Sequence, residues 1–309
     1  MCRYTESPNE DAMLNRYWKF RGGTLIEEFK MVEGRGGSKH RCADGVILPN
    51  VSQITLQGKS RKRWHYLKDA TTKGQQKIRN KLRGQEVVVV QVKPARLGIC
   101  LMGQATFSRW LIDNEEFQPD SVDTIAICGA SDPVLEPLLK SYCIRVRIDD
   151  APLRSGEPPT GSEREKYAGL NPTLVQRYWN QRWNRKGVVI YDFPLRCSYT
   201  AHGLIFPNLE GSSFGAKREL YFDSLDQTGK EKVRRLLRAR RQAIMVTTRR
   251  KGIRPGMCTM GHALFAPKLL KLDYPSANIR SVIACTRSDN ALKGLLNLES
   301  FRQIEMVEV

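Results

Sequence analysis

Two stretches of this chain recur at one fixed distance, and a chain that repeats itself in order is built to make the same domain twice. Residues 45–50 (GVILPN) return as 203–208 (GLIFPN), with four identities in six positions. Residues 97–107 (LGICLMGQATF) return as 255–265 (PGMCTMGHALF), with six identities in eleven. Both pairs lie 158 residues apart, and Arg16-Tyr17-Trp18 comes back as Arg177-Tyr178-Trp179 at a distance of 161. Matched order at near-constant spacing indicates an internal duplication. The copies differ at one place that matters for chemistry: Asp44 precedes the first hexapeptide, and His202 precedes the second.

The 309 residues suit two domains of roughly 150 each, large enough for each to bury a core. A stretch rich in Pro, Gly, Ser and charge at 149–165 (DDAPLRSGEPPTGSERE) falls between the copies. We place the first domain at 1–150, a linker at 151–164 and the second domain at 165–309. Hydrophobic residues make up 40% and charged residues 27%, as in a water-soluble globular protein. No apolar run reaches the roughly 18 residues of a spanning helix, and no charged-then-apolar leader opens the chain. A cytoplasmic, reducing location without membrane contact is therefore expected. The eight cysteines agree with it: Cys100 matches Cys258 and Cys128 matches Cys285, each inside an apolar run, so they read as buried core thiols.

The net charge is +19. Lysine and arginine neutralise phosphates and release counterions, so a chain this basic points to nucleic acid as partner. No basic amphipathic helix carries the long apolar face that an anionic membrane would need.

The order of elements is legible in outline. Residues 11–20 read as a helix ended by Gly22-Gly23, with strands at 24–32 and 41–48. A basic helix or loop covers 68–82. The β-branched run 87–92 reads as a strand buried on both faces, followed by a helix at 97–112. A strand at 122–128, a helix at 133–142 and a strand at 143–148 complete the copy, and the second copy gives the same series. The fold class is α/β, a sandwich with a mixed sheet.

Asp44 opens one strand, and the buried strand ends in Gln91-Val92-Lys93. This set resembles the PD-(D/E)XK nuclease superfamily, in which an Asp on one strand and a (D/E)-x-K at the end of the next hold a metal beside the scissile phosphate. The element order extends the likeness over most of residues 12–130, with Gln91 standing where the family usually has an acid. The resemblance implies two tandem PD-(D/E)XK-like α/β domains. It also implies a Mg2+ or Mn2+ site from Glu28, Asp44 and Gln91, with Lys93 beside it and Gln104 as a helper on the following helix. Elementary chemistry supports the set: Mg2+ takes hard oxygen ligands, usually one or two carboxylates plus water, and a lysine two residues after Gln91 lies on the same strand face. Glu27 points to the opposite face from Glu28 and is the second choice.

Across the repeat the tripeptide position holds no carboxylate. Matching the apolar runs aligns it with Thr247-Thr248-Arg249, and a strict offset of 158 aligns it with Arg249-Arg250-Lys251. Either way the second copy resembles a decayed nuclease domain that grips phosphate through Arg249, Arg250 and Lys251. His202, Cys258 and His262 invite a zinc reading, but a core thiol shared by both copies explains the pair 258/262 more cheaply, so zinc is not expected. Two basic stretches are candidate contacts with nucleic acid. One is Lys59, Arg61, Lys62 and Arg63 interleaved with Trp64 and Tyr66. The other carries Arg234, Arg235 and Arg238 opposite an apolar face of Val233, Leu236 and Leu237. Trp18, Trp179 and Trp183 read as core anchors.

The expectation is a metal-dependent nuclease that acts on DNA rather than RNA, its first domain catalytic and its second binding or supporting. With one competent centre per chain it would nick, or work as a homodimer. The alternative is a non-catalytic pseudonuclease serving as a subunit of a larger processing or defence complex, and a basic ribonucleoprotein component is a third possibility.

Overall fold

The protein is described here as a computed structural model over residues 8–32, 34, 40–113, 116–150, 172–209, 214, 217–249 and 252–309. The chain divides into two compact units, 1–161 and 162–309. The expected linker at 151–164 lies outside the described residues.

The first unit runs α1 (Pro8–Arg21), β1 (Thr24–Val32), β2 (Arg41–Leu48), β3 (Ile54–Leu56), β4 (Lys59–Arg61), β5 (Arg63–His65), α2 (Thr72–Lys81), β6 (Glu86–Arg96), α3 (Ile99–Ile112), β7 (Ser121–Ala130), α4 (Leu135–Lys140) and β8 (Ile144–Ile148). Its six-stranded sheet has the order β5-β1-β2-β6-β7-β8. The pairs β1–β2 and β2–β6 are antiparallel, and β5–β1, β6–β7 and β7–β8 are parallel, so the sheet is mixed. The three short strands between 54 and 65 carry no sustained alternation that sequence reading detects; β3 and β4 pair with each other, and β5 adds to the sheet edge.

The valine run of β6 explains the layering. Val88, Val90 and Val92 face α1, where Met13, Leu14 and Tyr17 pack with Leu25, Ile47, Ile125 and Ile127. The other face is covered by α3, which packs on β6 and β7. Burying a valine side chain contributes about 1.5 kcal/mol, so a β-branched strand covered on both faces anchors the unit. The indole N–H of Trp18 donates to the carbonyl of Gly23 at 3.1 Å, tying the end of α1 to the turn that follows it.

The second unit repeats the plan with α5 (Pro172–Trp183), β9 (Val188–Pro194), β10 (Thr200–Phe206), β11 (Glu219–Tyr221), α6 (Gln227–Arg238), β12 (Gln242–Thr248), α7 (Met257–Asp273), β13 (Asn278–Cys285), α8 (Asn290–Leu295) and β14 (Ile304–Glu308). The sheet order β11-β9-β10-β12-β13-β14 and every strand direction match the first unit. Trp179 anchors its helix by the same kind of bond, donating to the carbonyl of Lys186 at 2.7 Å. Both units are therefore α/β with mixed sheets. Register also resolves the alignment at the tripeptide. Gly45 pairs with Val90 and Gly203 with Val246, which makes Thr247-Thr248-Arg249 the counterparts of Gln91-Val92-Lys93 and rules out the strict offset.

Cys128 and Cys285 are buried free thiols, pushed up to about 11 by burial. Cys100 and Cys258, expected to be core thiols too, are half-buried and disulfide-bonded.

Gly22 and Gly23 both sit at positive φ (76° and 80°). A Cβ on Gly23 would stand 2.3 Å from the carbonyl oxygen of Leu48, whereas nothing lies within 4 Å of one on Gly22. Gly22→Ala should therefore cost about 1 kcal/mol, the left-handed penalty alone, while Gly23→Ala should cost at least about 3 kcal/mol from clash plus strain. Urea unfolding of the two variants measures the difference.

Candidate active site

Where the pairing of β2 with β6 stops, the first unit holds a small cleft of about 30 Å³, lined by Glu10, Asp11, Leu14, Glu27, Glu28, Asp44 and His65. That is room for a water molecule or a bare cation. The β2–β6 ladder pairs Ile47 with Val88 through Gly45 with Val90. Beyond it the side chain of Asp44 takes over, its Oδ2 accepting the N–H of Val92 at 2.7 Å. Burial, and after it the neighbouring Glu10, push Asp44 up to about 6, against the lowering pull of Lys93 and the Val92 N–H. Lys93 reaches across to α1, where its ammonium meets Glu10 Oε1 at 2.7 Å. Burial alone would lower Lys93, but Asp44 and Glu10 hold it above its ordinary value.

Glu28 joins Asp44 in this cleft, and so does Glu27, contrary to the expectation that the two glutamates point to opposite faces. The cause is local. Glu28 has φ 49°, a left-handed residue inside a strand, which breaks the alternation of side chains. Register pairs Glu27 with Gly45 and Phe29 with Ala43, leaving Glu28 opposite Asp44. Glu27 is tied down by Arg63, whose Nε donates to Glu27 Oε2 at 2.9 Å. Burial raises the Glu27 carboxyl in spite of that bond.

Gln91 is not part of the cleft, and its expected roles as metal ligand and catalytic residue are corrected. Its Nε2 donates to Ser108 Oγ of α3 at 2.7 Å and lies 3.4 Å from the carbonyl of Cys42, while the residue is wholly buried. It faces the α3 layer, opposite the α1 layer that covers Val90 and Val92. Gln104, the expected helper, is half-buried on α3, and its Oε1 is a buried acceptor without a hydrogen bond among the described residues. Sequence reasoning missed Glu10, because nothing in a helix-forming run PNEDAMLNRY distinguishes one acid from its neighbours until α1 is laid over the end of β6.

The second unit keeps the frame and puts a neutral side chain where the first has the Asp44 carboxylate. His202 Nδ1 accepts the N–H of Thr248 at 3.0 Å, the bond Asp44 makes with Val92. His262, the counterpart of Gln104, has Nε2 3.0 Å from the carbonyl of Thr200 and Nδ1 3.1 Å from Thr247 Oγ1. The carbonyl fixes Nε2 as the donor and Nδ1 as the acceptor of the hydroxyl. The two rings lie 4.6 Å apart, and burial, joined for His202 by the neighbouring ring, holds His202 well below the usual histidine range and His262 at about 4. A neutral, hydrogen-bonded pair thus fills the position. Asp192 takes the place of Glu28, left-handed again at φ 54°.

The basic stretches divide. Lys59, Arg61 and Lys62 are exposed, with Arg61 3.8 Å from Asp69 and stacked over Trp64. Trp64 and Tyr66, expected to stack on bases, are 2% and 0% exposed and belong to the core; the Trp64 indole donates to the carbonyl of Ile54. Arg63 is committed to Glu27 rather than presented to a partner. On α6, Val233 and Leu237 are buried, Arg235 is exposed, and Arg238 pairs with Glu231 at 2.7 Å, with Arg234 at 3.6 Å from the same carboxylate. Arg249 is half-buried, and Arg250 and Lys251 lie outside the described residues.

The two units should respond to pH in opposite directions. The folded state favours protonated Asp44, so that stability is present below the ordinary 3.8 and is lost as pH rises through about 6, on the order of 2–3 kcal/mol. The histidine pair favours the neutral form, so the second unit is stable above 6.5 and loses stability as pH falls toward 4. Hydrogen exchange of β2 and β6 against β10 and β12 should show these opposed slopes between pH 4 and 7. Asp44→Asn should flatten the first of them and leave the second unchanged.

No family model matches this chain, and no match is found among the curated proteins or the solved structures.

Proposed function

We propose that the chain is a metal-dependent nuclease of the PD-(D/E)XK type that cleaves DNA, with the first unit catalytic and the second holding the nucleic acid. The observation that carries this reading is the meeting of Asp44, Glu28 and Glu10 with Lys93 at one cleft where β2 and β6 separate. The donor set suits a hard cation: Asp44 and Glu28 offer carboxylate oxygens, and Mg2+ commonly binds through one or two carboxylates while keeping waters. Among the described residues no group of three or more His, Cys, Asp or Glu side chains is arranged to hold a metal by itself. Bound there, Mg2+ or Mn2+ would polarise a phosphate oxygen and acidify a water.

The chain's own residues supply the rest. Lys93 stays cationic at neutral pH, held by Asp44 and Glu10, and an ammonium at this position stabilises charge developing on a phosphate. Glu10 positions that ammonium. Asp44 ionises near pH 6 in the free protein, so metal affinity and cleavage should rise as pH passes through that value. The charge of +19 favours a polyanionic substrate.

One observation favours the second reading, a non-catalytic pseudonuclease acting as a subunit of a processing or defence complex. Gln91 stands at the position of an acid and is bonded to Ser108 instead of facing the cleft.

Incubation with supercoiled plasmid and Mg2+ or Mn2+ decides between them. The wild-type chain should produce nicked circles, and Asp44→Ala or Lys93→Ala should reduce the rate by about 10²–10³-fold. Gln91→Ala should stay within about tenfold of wild type, its effect passing through stability. Cleavage no greater than in the Asp44→Ala control overturns the catalytic reading. Titration calorimetry with Mn2+ then asks whether any Asp44-dependent binding remains.

A further inference from the structure

The second unit contains an open cleft of about 380 Å³ lined by Trp179, Arg185, Lys217, Arg218 and Glu219. Its volume falls within the range of small-ligand sites, ~300–1,000 Å³. Three of the five lining side chains are cations and one is a carboxylate. That carboxylate is engaged elsewhere, accepting Gln176 Nε2 at 3.1 and 2.9 Å. The arginines are oriented by neutral partners: Arg185 Nε donates to Asn180 Oδ1 at 2.6 Å, and Arg218 Nη1 donates to the carbonyl of Arg185 at 3.1 Å. Among the described residues these bonds use one of the five N–H donors on each guanidinium, and both arginines are exposed, so donors remain for a ligand.

Comparison of the repeats shows how the cleft arises. The carbonyls of Lys62 and Arg218 accept the N–H groups of Leu25 and Val189, each at 2.8 Å, so Lys217-Arg218 corresponds to Arg61-Lys62. The helix-to-strand turn differs. The offset between copies is 161 in the helix (Trp18 and Trp179) and 164 in the strand (Phe29 and Phe193), so the second turn is three residues longer. Arg185 lies in this longer turn, left-handed at φ 55° beside Asn184 at φ 46°. In the first unit Arg61, the counterpart of Lys217, instead approaches Asp69 at 3.8 Å.

We propose that this cleft is a phosphate-binding site that seats a backbone phosphate of a nucleic-acid strand. Guanidinium forks with an added ammonium match the tetrahedral oxyanion. Trp179 is 1% exposed, a wall of the cleft and not a platform for a base, so the ligand it fits is phosphate rather than nucleobase. The proposal rests on nucleic-acid binding by the second unit, and it adds Arg185, Lys217 and Arg218 to the residues that do so.

Fluorescence anisotropy with the full chain, a labelled single-stranded or duplex oligonucleotide and EDTA over a series of salt concentrations tests it without any cleavage. Arg185→Ala and Arg218→Glu should each weaken binding about tenfold and lower the salt slope by about one. Glu219→Gln should tighten binding, a gain that a merely structural role does not give. Competition by inorganic phosphate and by a nucleoside 5′-monophosphate separates the sources. If a mononucleotide binds in an Arg218-dependent manner while the oligonucleotide slope is unchanged, the site takes free nucleotide and the strand assignment is overturned. Wild-type affinity and slope in both arginine variants overturn the site itself, even if plasmid is cleaved. Arg218-dependent slopes without plasmid cleavage sustain the site and remove only the nuclease reading.

Discussion

A single side-chain acceptor governs the place where β2 and β6 part. Asp44 accepts the N–H of Val92, and in the second unit His202 accepts the N–H of Thr248. Each bond begins where the antiparallel ladder stops, after Gly45 with Val90 and Gly203 with Val246. An inward-facing N–H left without an acceptor costs about 1–3 kcal/mol, so the strands separate only because a side chain caps the end. The cleft of the first unit exists on that condition. Asp44 consequently has two duties, structural cap and candidate chemistry, and an alanine there removes both at once. Asparagine keeps a carbonyl acceptor and discards only the charge.

The histidine pair shows what the same frame looks like when charge is dispensed with. Asp44 carries the cost of an ionised group among protein atoms, opposite another carboxylate on β1. His202 and His262 are neutral at physiological pH, and the described bonds satisfy His262 on both ring nitrogens. A residue retained for support alone would be expected to move toward such a solution. Asp44 therefore carries a burial cost that the histidine pair avoids while making the same cap.

Much of the architecture was legible because it rests on periodicity. The valine run, the glycine turn after α1 and the repeated hexapeptide marked the sheet, its layers and the duplication from sequence alone. The site was legible only in part. Asp44, Lys93 and Glu28, which lie near one cleft, could be nominated because they sit on strands that the sequence places. Glu10 was not, since its role depends on how α1 crosses the sheet, and Gln91 was misassigned because the spacing of a tripeptide does not say which layer its first residue faces. Trp64 and Tyr66 misled for a related reason: aromatics among lysines and arginines look like a stacking surface, but β5 pairs with β1 and turns both rings into the core. Short edge strands without alternation leave no signal that would have revealed this.

The left-handed residue within β1 has an effect on charge density. A regular strand delivers one side chain to a given face every two residues, about 7 Å apart. With Glu28 at φ 49°, consecutive residues reach one cleft, so two acids arrive where regular geometry would supply one. The second unit preserves this conformation at Asp192 although its other acids are gone. The backbone therefore sets how many negative groups can be concentrated at this spot, and side-chain identity decides only how many of the available places are filled.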